Sequence, residues 1–556
     1  MNKLKKIIKY TLISLLSIVL LVFVWLVALY LTADMQKPNV EVNLENYVLN
    51  KDSLGFECNG NYLVKNEAGL WESYLHGNAL DRGIAAGVLE KDLLYYQEKA
   101  FVNEIKKIIP SERYLKFLGA FIRIFNRNLG EYIIKEYREE IYGISMSCSS
   151  EFDYIGTSYE RQLNYHAAHD IGHTMQEYML VACSSFGVWG SKSSDSTLLI
   201  GRNFDFFVGE EFANNKLLSF VFPSTGYKFA SVAWAGMIGV LSGINEKGLS
   251  VTINASKGSI PTSAATPISI LAREILQYAS NIDQAYLIAK KRKTFVSESL
   301  LIGSAEDGYA VIIEKTPSKI DIYKSNTESI VCTNHYQSNA FSSDKANLDN
   351  IASSDSPYRY MRLTELLENN DKISSKTAVN ILRDRDGLGG SKIGLCNEKA
   401  INQCIAHHSV VFEPQKMLMW VSTFPWQSGE YVCYDLKKVF SNCKPSGDNV
   451  NKELSIVGDS LFLNSDYRNV LSYRSDIKMI KQIIESKGDL SKEQEDMFIA
   501  SNSNMYYVFD LLGDYYHYKG NGSKALEMWG EALNLEIPTL GQRTDIEKKI
   551  KGLKNE

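Results

Sequence analysis

The stretch "LVACSSFGVWGSKSSDSTLLIGRNFDF", residues 180–206, sets Cys183 on an apolar run that reads as a strand, then turns and comes back carrying Arg202 and Asp205. The thiolate is the reactive form of cysteine. It needs a neighbouring cation to lower its pKa, and the base that serves it needs a carboxylate or amide to hold it. Arg202 and Asp205 supply both types, three positions apart on the return strand. A cysteine among apolar residues is more often a small buried hydrophobe. It is therefore the company, and not the cysteine alone, that marks Cys183 as a candidate nucleophile.

A second constellation competes. His166, His169 and His173, with Asp170 adjacent, fall at i, i+3 and i+7 of "NYHAAHDIGHTMQEYMLV", on one face of a helix. Three imidazoles so placed could ligate Zn²⁺ and leave a position open for water, which would make the chain a zinc hydrolase. No HExxH pattern accompanies them and i+7 is a long reach for one metal, so the preferred reading is a helix packed over the strand of Cys183. His407 and His408 begin a core strand and are assigned no catalytic role.

Elements on both sides must position these groups. From Leu80 to Tyr142 the apolar spacing is helical, as in "GIAAGVLEKDLLYYQEKAFVNEIKKII". After Cys183 come short strands with turn signals, among them "LLSFVFP" and "GLSVTINA", then helices at "YRYMRLTELLENN" and "KTAVNILRDR", then strands at "HHSVVFEPQKMLMWVSTF". Runs of strands and runs of helices predict an α+β arrangement, two sheets between helical layers. Further on, Leu512, Gly513, Tyr516, Ala525, Trp529 and Ala532 follow the spacing of a tetratricopeptide helix pair. One repeat cannot make a solenoid, so a pair packed on the main domain is expected ahead of a partner-binding surface.

With 556 residues, 45% hydrophobic and 22% charged, the chain can bury a large core, and a net charge of −5 gives no electrostatic footprint for nucleic acid. No charge falls between Tyr10 and Ala33, and these 24 positions, at about 1.5 Å each, exceed the roughly 30 Å hydrocarbon core of a bilayer. Lys3, Lys5, Lys6 and Lys9 precede the run, so an anchor here keeps the N-terminus cytoplasmic and everything after Asp34 outside. A cleaved signal peptide is the alternative. Residues 35 to about 65 read as a polar juxtamembrane linker. Eight cysteines at this length are no disulfide scaffold, and their pairing is not legible.

The pieces "CSSF", "GRNFDF", "INEKGLSVTINAS", "VCTNHY", "SPYRYMRL" and "HHSVVFEPQKMLMWVS", with "LHGNALDRGIAAG" upstream, occur in this order between about residues 70 and 435. Together they resemble the N-terminal nucleophile hydrolases of the acyl-coenzyme A:6-aminopenicillanic acid acyltransferase, penicillin V acylase and choloylglycine hydrolase type. The resemblance implies self-cleavage between Ala182 and Cys183, so that Cys183 becomes a new N-terminus whose α-amine is base for its own thiol. An α-amine has a pKa near 7.7 to 8.0 and can take a proton at neutral pH. It further implies Arg202 beside the thiolate, Asp205 on the new amine, Asn254 and Asn334 toward the oxyanion, and Arg359 bracing the site. Arg362 shares the helix of Arg359, but the position after Pro357-Tyr358 fits better. Ala182 stands where the acyltransferase group usually has glycine, and the long region before Cys183 resembles arrangements in which the released α chain stays on the β chain.

The expected fold is a four-layer αββα sandwich, divided into a cytoplasmic tip and anchor (1–34), a mostly helical α-chain region (35–182), a catalytic β-chain domain (183–445) and a helical extension (446–556). The expected function is a membrane-anchored, self-processed cysteine amidohydrolase or acyltransferase acting on a small N-acyl amide, without cofactor or metal. The rivals are a non-catalytic scaffold that binds a partner through its C-terminal helices, and the zinc hydrolase.

Overall fold

The computed structural model describes residues 2–167, 180–258 and 264–555. His169, His173 and Asp170 lie outside the described residues. Helix α1 (Asn2–Thr32) leads, and its segment Leu4–Thr32 is the one span among the described residues long and apolar enough to cross a membrane, a property that anchors and signal sequences share. Where a linker was expected, the chain instead forms strands β1 (Asn50–Lys51), β2 (Phe56–Cys58) and β3 (Asn61–Lys65), followed by β4 (Trp71–Gly77). Left-handed or positive-φ residues at Gly55, Asn59, Gly60 and Gly69 break this region into pieces too short for a period-2 pattern to emerge.

Helices α2 (Ala79–Leu89), α3 (Lys91–Ile108), α4 (Glu112–Phe125) and α5 (Lys135–Ser145) follow where the apolar spacing is helical, and α6 (Ser158–Tyr165) comes after them. The "GIAAG" run has a packing reason. A Cβ on Gly83 would sit 2.1 Å from the carbonyl oxygen of Glu140, so only glycine lets α2 and α5 touch backbone to backbone. Buried Arg82 closes that contact with a fork on Glu140, Nε at 3.1 Å and Nη2 at 2.6 Å.

The next strands are β5 (Leu180–Val188), β6 (Leu199–Phe207), β7 (Leu217–Pro223), β8 (Phe229–Ala233), β9 (Ser242–Asn245) and β10 (Leu249–Ala255). After α7 (Ile268–Tyr278) and α8 (Ile282–Lys291) come β11 (Glu298–Ser304), β12 (Tyr309–Lys315), β13 (Ile320–Tyr323) and β14 (Ser329–Cys332). Helices α9 (Lys345–Ser353), α10 (Ser356–Glu368) and α11 (Ser375–Leu382) lead to β15 (Ala406–Glu413), β16 (Leu418–Ser422) and β17 (Tyr431–Asp435).

Two sheets result. One has eleven strands in the order β1-β2-β3-β4-β7-β8-β9-β10-β11-β12-β13, the other six in the order β14-β5-β6-β15-β16-β17. Within the sheets the pairing is antiparallel except at β4–β7, which run parallel with Trp71 opposite Leu217 and Gly77 opposite Pro223. The pairing builds the N-terminal strands into the same sheet as the residues beyond Cys183. Apolar faces of the sheets meet, with Ile200, Val410 and Phe412 against Phe220, Val232 and Ile312. Ile268, Leu271 and Ile275 of α7 pack on the long sheet, and Leu363, Val379 and Leu382 of α10 and α11 on the short one.

Beyond α12 (Leu436–Asn442) the chain is helical: α13 (Tyr467–Glu485), α14 (Lys492–Ser501), α15 (Tyr506–Tyr518), α16 (Gly522–Leu533) and α17 (Leu540–Asn555). The α15–α16 pair closes where buried Trp529 lies over Gly513, so tightly that a Cβ there would come 2.3 Å from the indole. The extension is docked: Asn502 pairs with the main chain of Leu395, and Lys399 with Glu536.

Candidate active site

Residues 180–207 form the hairpin that the sequence suggested. In the β5–β6 ladder Ala182 faces Asp205, Cys183 faces Phe204 and Ser185 faces Arg202. Alternation therefore puts Cys183 and Arg202 on one face of the sheet and Asp205 on the other.

Cys183 is fully buried. Arg202 Nη2 donates to its Sγ at 3.6 Å and to the carbonyl of Ile253 at 2.6 Å, while Nη1 donates to Ser242 Oγ at 2.6 Å. The same Nη1 lies 3.2 Å from His408 Nε2. Burial, with Arg202 nearby, holds His408 well below the ordinary imidazole range, so the ring is neutral and Nε2 accepts from the guanidinium. Its proton then sits on Nδ1 and donates to His407 Nδ1 at 3.0 Å. Burial pushes the Cys183 thiol up, and Arg202 beside it pulls the other way.

Arg359 reaches the same residue from α10. Its Nη1 donates to the Cys183 carbonyl at 2.7 Å and to Ser184 Oγ at 3.0 Å, its Nη2 to Asn334 Oδ1 at 2.7 Å, and its Nε to Asp355 Oδ2 at 2.7 Å. Asn334 Oδ1 also takes the Cys183 main-chain N–H at 3.0 Å. Arg362 points elsewhere, forking onto Asp384 at 2.9 and 2.8 Å.

The amide nitrogens of Asn254 and Asn334 are spent on main chain. Asn254 Nδ2 donates to Cys332 and Thr333 carbonyls at 3.0 and 3.3 Å, and Asn334 Nδ2 to that of Ala255 at 2.8 Å. In this uncut chain, neither has the donor turned toward the thiol that an oxyanion role requires.

Asp205 stands apart. It is fully buried, and neither carboxylate oxygen has a hydrogen-bond partner among the described residues. Burial pushes its carboxyl up to about 7, against the pull of Arg359 and Arg202. A buried carboxylate without a donor is costly, so its retention calls for a cation or donor that is not found among the described residues.

Of the three histidines proposed for zinc, only His166 is described. Both its nitrogens are engaged, Nδ1 with the Gln162 carbonyl at 2.7 Å and Nε2 with the N–H of Ile238 at 3.0 Å. Burial pushes it down to about 4, a neutral structural imidazole. Among the described residues no group of three His, Cys, Asp or Glu side chains could hold a metal.

The structure gathers Arg202, Asn334 and Arg359 around Cys183 and leaves Asp205 on the other face of the hairpin, while sequence reasoning missed Ser242 and His408, which hold Arg202. Strand register was the available signal, because His408 falls opposite Phe204 in the β6–β15 pairing.

Residues 191–423 match the sequence model of the family described as acyl-coenzyme A:6-aminopenicillanic acid acyl-transferase. An uncharacterized protein of Archaeoglobus fulgidus is 26% identical over 287 residues, 47% of this chain and 45% of its own. The protein dcd1A of Dictyostelium discoideum is 26% identical over 240 residues, 38% of this chain and 50% of its own. The chain thus spans about half the length of the curated relatives it matches. Among solved structures, the Caenorhabditis elegans ortholog of N-acylethanolamine-hydrolyzing acid amidase aligns with 17% identity over 42% of this chain and 93% of its own, at a TM-score of 0.31.

Proposed function

We propose, from the premise that the core of this chain is an N-terminal nucleophile hydrolase of the acyl-coenzyme A:6-aminopenicillanic acid acyl-transferase type, that it is a self-processing cysteine amidohydrolase or acyltransferase. Cys183 Sγ attacks the Ala182 carbonyl, and water resolves the resulting thioester. The products are an Ala182 carboxylate and a free Cys183 α-amine. That amine then takes the thiol proton, and the thiolate attacks the carbonyl of a small N-acyl amide. The leaving amine departs with the proton, the acyl group stays on sulfur, and water or a second amine releases it. Arg202 steadies the thiolate. Arg359 and Asn334 hold the main chain of Cys183, and Asn254 and Asn334 turn toward the oxyanion once cleavage frees the new terminus.

The observation that carries this reading is the Asp205 carboxylate, buried without a donor among the described residues and directly across the ladder from Ala182. Cleavage creates the donor it lacks, an ammonium group at neutral pH. The parallel β4–β7 pairing and the fork of Arg82 on Glu140, which also takes Arg273 of α7 at 3.2 Å, support retention of the released α chain. In this reading the two sheets and their flanking helices form the αββα layering, most of it from the catalytic domain 183–445 with β1 to β4 joining the long sheet from the α-chain region 35–182; the domain 446–556 is a helical extension, and α1 anchors the chain with its lysine-bearing tip in the cytoplasm.

Intact mass and N-terminal sequencing of the purified protein test it. Two chains are expected, the second beginning Cys-Ser-Ser-Phe. Cys183→Ala should remain one chain and Cys183→Ser should cut slowly. A Cys183→Ala protein still split at 182/183, or an active preparation left uncut, overturns the mechanism. Processed enzyme assayed on N-acyl amides with and without an acceptor amine separates hydrolysis from transfer.

A further inference from the structure

Helix α4 carries a face that none of the described residues covers. Tyr114, Phe117 and Phe121 are 51%, 64% and 59% exposed, at i, i+3 and i+7 of one helical stripe. On the opposite side the helix is built in through Leu115 and Gly119, while Phe125, stacked on Phe121 with ring centres 6.4 Å apart, ends the stripe against Phe295. Exposed Arg113 and Lys116 flank the aromatic stripe. An apolar cavity of about 180 Å³, lined by Ile105, Ile108, Leu115, Leu118 and Ile122, lies between the ends of α3 and α4.

The same helix is fixed to the end of α1. Arg123, in its last turn, donates to the carbonyls of Tyr30 at 3.1 Å and Ala33 at 2.7 Å, and its guanidinium lies 4.8 Å from the Tyr30 ring centre. Position is therefore not free: α4 sits where the membrane-length helix ends. Aromatic rings with basic neighbours at that level are the composition of a helix lying in the boundary between headgroups and acyl chains. A clustered aromatic face on an otherwise polar surface also marks an interaction site.

We infer that α4 is a second membrane contact, with the rings of Tyr114, Phe117 and Phe121 set among lipid at the outer surface of the bilayer that α1 enters and with Arg113 and Lys116 on lipid phosphates. The occupant is the bilayer itself. α1 then tethers the domain, and α4 fixes its orientation on the surface.

The test uses the full chain in nanodiscs of mixed zwitterionic and anionic phospholipid. The photo-crosslinker p-benzoylphenylalanine is placed at Phe117, at Phe121 and, as control, at Leu540, which is 55% exposed on the C-terminal helix. After irradiation, mass spectrometry is expected to find phospholipid adducts at least tenfold more abundant at Phe117 and Phe121 than at Leu540. Adducts to a second copy of the chain, adducts no more abundant than at Leu540, or failure of the chain to enter nanodiscs overturn the inference.

Discussion

Arg359 Nη2 donates to Asn334 Oδ1 at 2.7 Å, and that oxygen is also the acceptor of the Cys183 N–H. One arginine thus holds the residue that holds the nitrogen of the Ala182–Cys183 peptide bond, besides gripping the Cys183 carbonyl itself. Arg359→Ala is expected to slow appearance of the second chain by about 10²–10³, the usual loss when one preorganised donor is removed. Arg359→Lys should recover little, because a lysine cannot span four acceptors as the planar fork does. Precursor half-life on a gel measures both, and Arg359→Ala cut at the parent rate would refute the role.

Asp205 ties stability to pH. Its folded carboxyl is raised to about 7, well above the ordinary carboxylate range, because burial penalises the charged form. An acid whose folded pKa is raised costs nothing below its unfolded pKa, costs more as pH rises through the window, and carries the full penalty above about 7. A rise from the ordinary carboxylate range to about 7 makes that penalty about 4 kcal/mol. In a Cys183→Ala background, Asp205→Asn should therefore raise Tm at pH 8 and leave it nearly unchanged at pH 4. No gain, or a loss, at pH 8 would mean that the carboxylate finds a partner in the uncut protein.

His408 should matter although it touches no substrate. It is the neutral acceptor for Arg202 Nη1. Removing an acceptor from a buried charged donor costs about 1.5–3 kcal/mol, so His408→Phe should slow processing by about tenfold or more, while His408→Gln should restore much of the rate. A histidine serving only as core filling predicts no rescue by glutamine.

Gly513→Ala probes the extension. The added Cβ meets the indole of Trp529 at 2.3 Å, an overpacking expected to destabilise the C-terminal helices by about 1–3 kcal/mol. Processing at 182/183 should continue at the parent rate. Calorimetry together with the gel assay separates the two, and a loss of processing in step with Tm would show that the extension supports the site.

Cys183, Arg202 and Asp205 were legible because they share one hairpin, whose strands and turn are written in consecutive residues. Asn334 and Arg359 lie 151 and 176 residues from Cys183, and only their motifs suggested where they belong. His408 was passed over because neutral, buried histidines usually fill space, and its contact with Arg202 exists only through the pairing of β15 with β6. β1 to β4 were not legible at all: they are short, partly polar and broken by positive-φ turns, and β4 takes its partner 146 residues further on.

A cut before Cys183 would divide the eleven-stranded sheet between two polypeptides, β1 to β4 on the first and β7 to β13 on the second. The mature protein would then keep a shape it could not readily regain. Uncut chain returns from denaturant by a unimolecular route, indifferent to dilution, whereas the two pieces must first find each other. Processing would thus make the native state a record of how the chain was born, held by the slowness of its loss rather than by the ease of its recovery.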